Sequence, residues 1–284
     1  MRPPFIKFIF IISFLIIGCY VSRRVNEPKL KNLLKIPSGT IRINQDLFFD
    51  KGIVTNLQWR EYMYWTEKIF GKNSKEYYLV LPDTNVWSTY LCYIPRYAND
   101  YLRSGAFINN PVVGISQSQA EAYSNWRSDR VFEYILIRLG KLKHDKKQSK
   151  ETYFTISKYY EGKIMKTDTL SKFSYYPKYR LPNLKERALL LKFSDSLDLK
   201  SFGTLKILTE DTIPPMIMNL YWKYFPVIEN SILNLRGINS EWLAEPNIAG
   251  GGAWRNHTND TFKINYQNAY TGFRNVCEWK RWEE

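Results

Sequence analysis

Three helix starts of the same kind constrain the fold of this chain most strongly. Each combines a side chain that can accept a hydrogen bond at the N-cap with Gln or Glu three residues later, an arrangement known as a capping box. The boxes begin at Thr55, Ser116 and Asn183. We expect helices from these points to about Phe70, Leu139 and Phe193. The long stretches between them have no helical repeat, so a simple helical bundle is excluded.

The helix that follows Ser116 should bury one face. Apolar residues recur along it at steps of three, four or multiples of these, which places them on a single stripe. The stripe consists of Ala120, Tyr123, Trp126, Ile135 and Leu139.

The remaining chain has the pattern of short strands and long loops. Residues 152–157 alternate and predict a strand, residues 140–150 are rich in lysine and predict a surface segment, and residues 250–253 predict a glycine-rich turn. The sequence therefore predicts an α+β fold, with few helices on a body of strands and loops.

Composition excludes several classes of protein. With 284 residues and 44% hydrophobic content the chain can bury a large core, and its 16% aromatic content is suited to filling an irregular one. Three cysteines and two histidines exclude a disulfide-dense scaffold and a compact four-ligand zinc site. The net charge of +14 is concentrated in a loop and near the N-terminus, without a phosphate-binding or RNA-binding motif, so we expect no nucleic-acid partner.

The N-terminus has the features of an export signal. An apolar run over residues 8–18 ends in residues 16–19 (IIGC), which resemble the lipobox of bacterial lipoproteins. This predicts a signal peptide over residues 1–18, a lipidated Cys19 that attaches the protein to the membrane, and a basic tether over residues 19–35. An ordinary signal peptide or a short anchor is the alternative. Basic residues directly after Cys19 favour the periplasmic face of the outer membrane.

Six further segments occur in the order found in one protein family. They are residues 36–40 (IPSGT), 54–59 (VTNLQW), 111–126 (PVVGIS to SNW), 179–186 (YRLP to E), 237–242 (with Glu241-Trp242), and 251–254 (GGAW) with 272–274 (GFR). Together they resemble the formylglycine-generating enzyme or sulfatase-modifying factor family. That resemblance implies a C-type-lectin-like fold for residues 36–284, with an insertion at about residues 140–178.

Two other segments resemble a particular branch of that family. Residues 81–87 (LPDTNVW) and 101–103 (YLR) are similar to the gliding-motility and type IX secretion lipoproteins of the J and K types. The likeness implies protein partners in a secretion or motility complex.

The resemblance also argues against the family's oxidative chemistry. Its enzymes hold copper through two cysteines after the closing GGSW motif, and here Asn256 and Thr261 stand at those places. We expect Cys92 and Cys277 to be small buried core residues, with a disulfide between them as the open alternative. His144 lies in the lysine-rich segment and His257 in a turn, so neither is expected to bind a metal.

Calcium binding is the remaining cofactor question. Family members bind calcium near the motif that contains Glu241, but Arg236 and Ile238 replace amide side chains here. Glu241 is therefore a weak calcium candidate, and we interpret it as a structural hydrogen-bond acceptor.

These observations favour a non-catalytic, lipid-anchored periplasmic scaffold in a gliding-motility or type IX secretion assembly. We expect no catalytic residue and no cofactor. Two alternatives stay open: a formylglycine-generating-type oxidoreductase acting on sulfatase cysteines, and a glycan-binding module that uses exposed tryptophans.

Overall fold

The computed structural model describes residues 35–90, 100–164, 173–202, 235, 239–251 and 261–283. Six α-helices and one short 3-10 helix, Gly105–Phe107, occur in this part of the chain. The α-helices are α1 (Asn56–Phe70), α2 (Lys75–Leu79), α3 (Val86–Tyr90), α4 (Gln117–Arg138), α5 (Ile156–Tyr160) and α6 (Leu184–Phe202).

Eight short strands form two four-stranded sheets. The strands are β1 (Thr40–Arg42), β2 (Phe48–Asp50), β3 (Tyr175–Arg180), β4 (Ser240–Trp242), β5 (Ile248–Gly250), β6 (Thr261–Lys263), β7 (Thr271–Gly272) and β8 (Val276–Arg281). The first sheet has the order β1-β2-β8-β3 and is antiparallel throughout. The second has the order β6-β5-β4-β7, and only β4 and β7 pair in parallel. Few helices and short strands in two sheets confirm the predicted α+β class.

The three predicted helix starts are confirmed. Thr55 and Ser116 each accept a hydrogen bond from the backbone of the third helical residue, and the Gln side chain there accepts from the N-cap backbone. Asn183 and Glu186 exchange the same pair of bonds at 2.9 Å each. Helix α6 nevertheless continues nine residues past the expected end, because no glycine or proline interrupts it before Gly203.

The strand predicted over residues 152–157 is wrong. Residues 153–155 belong to neither a strand nor a helix, and helix α5 begins at Ile156. Thr155 accepts a hydrogen bond from the Lys158 backbone, and Asp129 accepts one from the Ile156 backbone at 2.8 Å. Side-chain capping from two sources thus overrides the local alternation.

The predicted buried face of α4 supports the main core. Ala120, Tyr123 and Ile135 are buried as expected, while Trp126 and Leu139 are half-buried at the edge of the stripe. Tyr123 stacks on Trp59 of α1, with ring centroids 5.5 Å apart, and meets Phe273 edge to face. Aromatic contacts of this kind let a loop-rich body close around a dense centre.

Buried ion pairs join the two sheets. Arg274, which follows β7, donates from Nε and Nη2 to the two carboxylate oxygens of Glu241 on β4, both at 2.7 Å, and both side chains are almost fully buried. Arg127 of α4 donates at 2.6 Å to Asp50 at the end of β2. Asn275 donates its backbone N–H to the same Asp50 oxygen at 2.9 Å. Adjacent residues 274 and 275 therefore bind one sheet each.

Removing one partner of the Arg274–Glu241 pair should strongly destabilise the protein. Glu241→Ala leaves a buried guanidinium without its counter-charge, so we expect the free energy of unfolding to fall by about 3 to 5 kcal/mol. Urea unfolding of the purified chain measures it. Glu76→Ala, which breaks the exposed pair with Lys150, is the control and should change stability little. Equal effects of the two substitutions would contradict the assignment.

The buried carboxyl of Asp129 predicts a pH dependence. Burial raises its pKa to about 6 from 3.8, against the opposing effects of the Ile156 N–H, Arg130 and Lys178. The folded state thus holds this proton more tightly than the unfolded state, and this carboxyl lowers stability as the pH rises from about 4 to 6. Asp129→Asn keeps the acceptor for Ile156 and carries no charge. It should therefore stabilise the protein by about 2 kcal/mol at pH 8 and have little effect at pH 4.

Thermal unfolding at the two pH values checks this prediction. Asp46→Asn, at an exposed turn position, is the control and should shift the melting temperature equally at both. A pH-independent effect of Asp129→Asn would show that the carboxyl is not the cause.

Candidate functional site

A cavity in the described part of the chain lies where α4 begins. We call it the central groove; its volume is about 690 Å³. Four chain segments meet there, from the α2 region, the start of α4, the β4–β5 region and the loop before β7. Its lining residues are Tyr78, Leu79, Asp83, Ser116, Gln117, Ser118, Gln119, Trp242, Asn247, Asn265, Tyr266 and Gln267.

Gln119 fixes two walls of the central groove. Its Nε2 donates to the carbonyl oxygens of Leu79 and Leu81, both at 2.9 Å. Its Oε1 accepts from the Ser116 backbone and from Gln267 Nε2, also at 2.9 Å. The capping-box glutamine is thus used twice, once to start the helix and once to hold the groove open.

Gln117 fixes the opposite wall. Its Nε2 donates to the carbonyl oxygens of Leu243 and Glu245 at 2.6 and 2.8 Å, and its Oε1 accepts from the Asn247 backbone at 2.9 Å. Trp242 is buried and donates to the Ile115 carbonyl at 3.1 Å, which closes the floor. These amides are saturated by structural bonds, so a ligand would meet other groups.

Apolar side chains are unusually exposed at the rim. Tyr78 and Leu79 each keep 60% of their surface, and Tyr266 keeps 54% while its hydroxyl lies 3.2 Å from that of Tyr270. Large apolar groups exposed beside a preformed groove are typical of binding sites. The arrangement is suited to non-covalent recognition. Its walls are held by internal hydrogen bonds, so little conformational entropy of the walls would be lost on binding.

None of the catalytic, lipidation or metal-site residues considered in the sequence analysis is among the described residues that line the central groove. Cys19, Cys92, Asn256 and His257, together with Arg236, Ile238 and Trp254, lie outside the described residues. Thr261 opens β6 and is exposed, and His144 is exposed in the lysine-rich segment. The end of the predicted insertion, residues 175–178, lies in β3 and pairs with β8.

Glu241 does not point to an open site. It is 2% exposed, and both of its carboxylate oxygens accept from Arg274. No group of three or more His, Cys, Asp or Glu side chains suited to a metal ion occurs among the described residues.

Cys277 is enclosed in the first sheet. It is fully buried, is free of any disulfide, and packs with Phe48 and Tyr179, neither of which lines the central groove. Burial raises the pKa of its thiol well above the usual value, so the reactive thiolate is strongly disfavoured. The expectation that Cys277 is a small core residue is confirmed.

The described tryptophans are also core residues. Trp59, Trp87 and Trp242 are buried, and Trp65, Trp126, Trp279 and Trp282 are half-buried. The aromatic groups exposed at the central groove are tyrosines instead, which sequence analysis did not identify. For Tyr78 the signal was the polar stretch of residues 75–78 (KEYY), in which the tyrosines lack an apolar repeat.

Comparison with known proteins places the chain in a family. The family model for the sulfatase-modifying factor enzyme 1-like domain matches residues 16–190, more than half of the chain. The chain belongs to this family. Neither the curated proteins nor the solved structures yielded a match.

Membership agrees with the fold of this sulfatase-modifying factor domain and confirms the family that the motifs predicted. The matched range contains α1, α4 and the start of α6, whose capping boxes carry much of the resemblance. No helix in the described ranges combines the length and apolar character needed to cross a bilayer.

Cys277 should be inert in the native protein. We expect iodoacetamide to modify it at least about 100-fold more slowly in the folded chain than in urea, because both burial and the raised pKa suppress the thiolate. Peptide mass spectrometry after timed quenching follows this one residue. The exposed Ser157→Cys provides a fast-reacting internal control. Modification of native Cys277 at the rate of the control would revive a thiol-based activity.

Proposed function

We propose that this protein is a non-catalytic scaffold of a gliding-motility or type IX secretion assembly. In this proposal, lipid on Cys19 holds it at the periplasmic face of a bacterial outer membrane, and the folded domain binds a protein partner. The observation that carries the binding role is the central groove: its walls are fixed by internal bonds, and Tyr78, Leu79 and Tyr266 are exposed at its rim.

The residues at the family's oxidative positions support binding rather than catalysis. Thr261 is an exposed hydroxyl where the enzymes of the family use a cysteine, and a hydroxyl cannot replace a thiolate in copper binding or thiol exchange. Cys277 is buried in a separate cluster from the groove. An oxidoreductase would need at least one accessible thiol beside its substrate, and Cys277 does not supply one.

The sequence supports the anchor and the assembly. Residues 16–19 supply the lipobox, and residues 81–87 and 101–103 supply the likeness to J-type and K-type lipoproteins. An acylated N-terminus gives stable attachment without a spanning helix, since each buried methylene contributes about 0.8 kcal/mol.

The test is crosslinking of the full-length lipidated chain in its own cells, followed by affinity purification and mass spectrometry. We expect secretion or motility components to be recovered. Leu79→Ser with Tyr266→Ser should reduce their recovery about tenfold, because exposed apolar anchors at a groove contribute most to binding. Leu57→Ser with Tyr64→Ser removes one leucine and one tyrosine exposed elsewhere, and should leave recovery unchanged.

Two results would contradict the proposal. Equal recovery from both double variants would show that binding to the assembly does not depend on the central groove. Recovery of only a sulfatase-like client, with its cysteine oxidised by the purified chain, would favour the oxidoreductase alternative.

A further inference from the structure

A second cavity lies on the other side of the segment that walls the central groove. We call it the basic cleft; it has a volume of about 650 Å³ and is formed by α1, the α1–α2 turn, α2, residues 81–84 and residues 102–103. Its size is within the range that holds a bound ligand or peptide segment. The two segments with the J-type and K-type likeness, near residues 81–84 and 102–103, converge on this cleft although 17 or more residues separate them in the chain.

Three exposed cations line the basic cleft. Arg60 comes from α1, Lys72 from the turn after it, and Arg103 from the segment before the 3-10 helix. Arg60 Nη1 donates to the Arg103 carbonyl at 3.1 Å, which holds the first guanidinium against the segment that carries the second. No carboxylate is among the described lining residues, and none of the three cations forms an ion pair in the described part of the chain.

Several other arginines of the fold form ion pairs with carboxylates, which the cations of the basic cleft do not form within the described part of the chain. Arg127, Arg130, Arg180 and Arg274 each contact a carboxylate at 3.0 Å or less. Glu67 acts on the Tyr77 hydroxyl of the cleft, but the three cations outnumber this carboxylate, so the cleft keeps a positive potential, which its concave surface concentrates. The basic cleft is therefore suited to an anionic ligand.

The floor between the cations selects among anions. Met63, Pro82 and Leu102 line it with apolar surface, and Tyr77 is half-buried there. Burial and Glu67 raise the pKa of Tyr77, while Arg103 lowers it, so one carboxylate and one guanidinium act on the same hydroxyl. A free phosphate would use only the charges. A chain with both carboxylates and apolar side chains would use the charges and the floor.

We propose that the basic cleft docks an acidic, extended segment of a protein partner, with carboxylates at Arg60 and Arg103 and an apolar side chain on the floor beside Met63 and Leu102. This inference rests on the proposed function as a scaffold, and it defines the chemistry of one partner. Because the cleft is concave, a flat membrane surface reaches the cations poorly, which favours a polypeptide.

A site-specific photocrosslinker tests the chemistry of the occupant directly. Benzoylphenylalanine at Thr84, which is exposed and lines the cleft, is introduced into the full-length chain in its own cells. The same probe at Glu121, which is exposed on α4 and lines neither cavity, is the control. We expect products specific to Thr84 whose crosslinked segment contains more Asp and Glu than Lys and Arg. Neutral or basic segments, or a lipid or glycan product, would overturn the inference.

Charge variants then test the residues. Arg60→Gln with Arg103→Gln should lower the yield of the Thr84 product about tenfold, since rim charges guide association and buried ones hold it. Lys146→Gln with Lys147→Gln removes the same charge from an exposed segment and should leave the yield within about twofold. Equal losses would indicate a general effect of net charge and would overturn the assignment. If the arginine pair disturbs folding, Arg103→Gln alone keeps the backbone carbonyl that accepts from Arg60 and should still lower the yield of the Thr84 product about threefold.

The two proposals fail separately. If the assembly is still recovered through the central groove but the Thr84 product is not acidic, only the basic cleft is wrongly assigned. If no assembly is recovered and no product is specific to Thr84, the scaffold role itself fails.

Discussion

The fold depends on two adjacent residues that bind opposite sheets. Arg274 is paired with Glu241 of the second sheet, and Asn275 is bonded to Asp50 of the first. Asn275 also donates to Ser124 of α4 at 2.6 Å, and Arg127 one turn later reaches the same Asp50. Both sheets and the longest helix are therefore tied to one dipeptide. Because charges buried in this way are costly when unpaired, the network permits only one arrangement of the three elements.

The sequence predicted those features that depend on a few neighbouring residues. Capping boxes are local, so the starts of α1, α4 and α6 could be read from four residues each. The alternation over residues 152–157 wrongly predicted a strand, because the interaction that starts a helix there comes from a distant residue. Asp129, on α4, accepts the hydrogen bond of the Ile156 N–H. The Arg274–Glu241 ion pair could not be predicted from the sequence either. Both residues belong to recognised motifs, but a motif does not specify which of its charged side chains form an ion pair.

The central groove could not be predicted for a similar reason. Its walls come from residues near 79, 117, 243 and 267, and the bonds that hold them converge on Gln117 and Gln119. Gln119 was identified from the sequence only as the third residue of a capping box. Its amide bonds to Leu79 and Leu81 require the folded chain, because nothing local specifies partners some 40 residues away. Sites built between elements are generally the least visible in a single sequence.

One short segment separates the central groove from the basic cleft, and its rigidity decides whether they act independently. Asp83 donates its backbone N–H to the Gly114 carbonyl at 2.7 Å, and a Cβ at Gly114 would lie 2.3 Å from the Asp83 carbonyl oxygen. Gly114 also has a φ of +71°, so both conformation and contact require glycine there. With Gln119 holding Leu79 and Leu81 from the other side, the wall is fixed at both ends. Coupling between two sites needs an element with two arrangements. Because Tyr78 lines both cavities, we expect any coupling between them to act through this exposed side chain rather than through the fixed backbone of the wall.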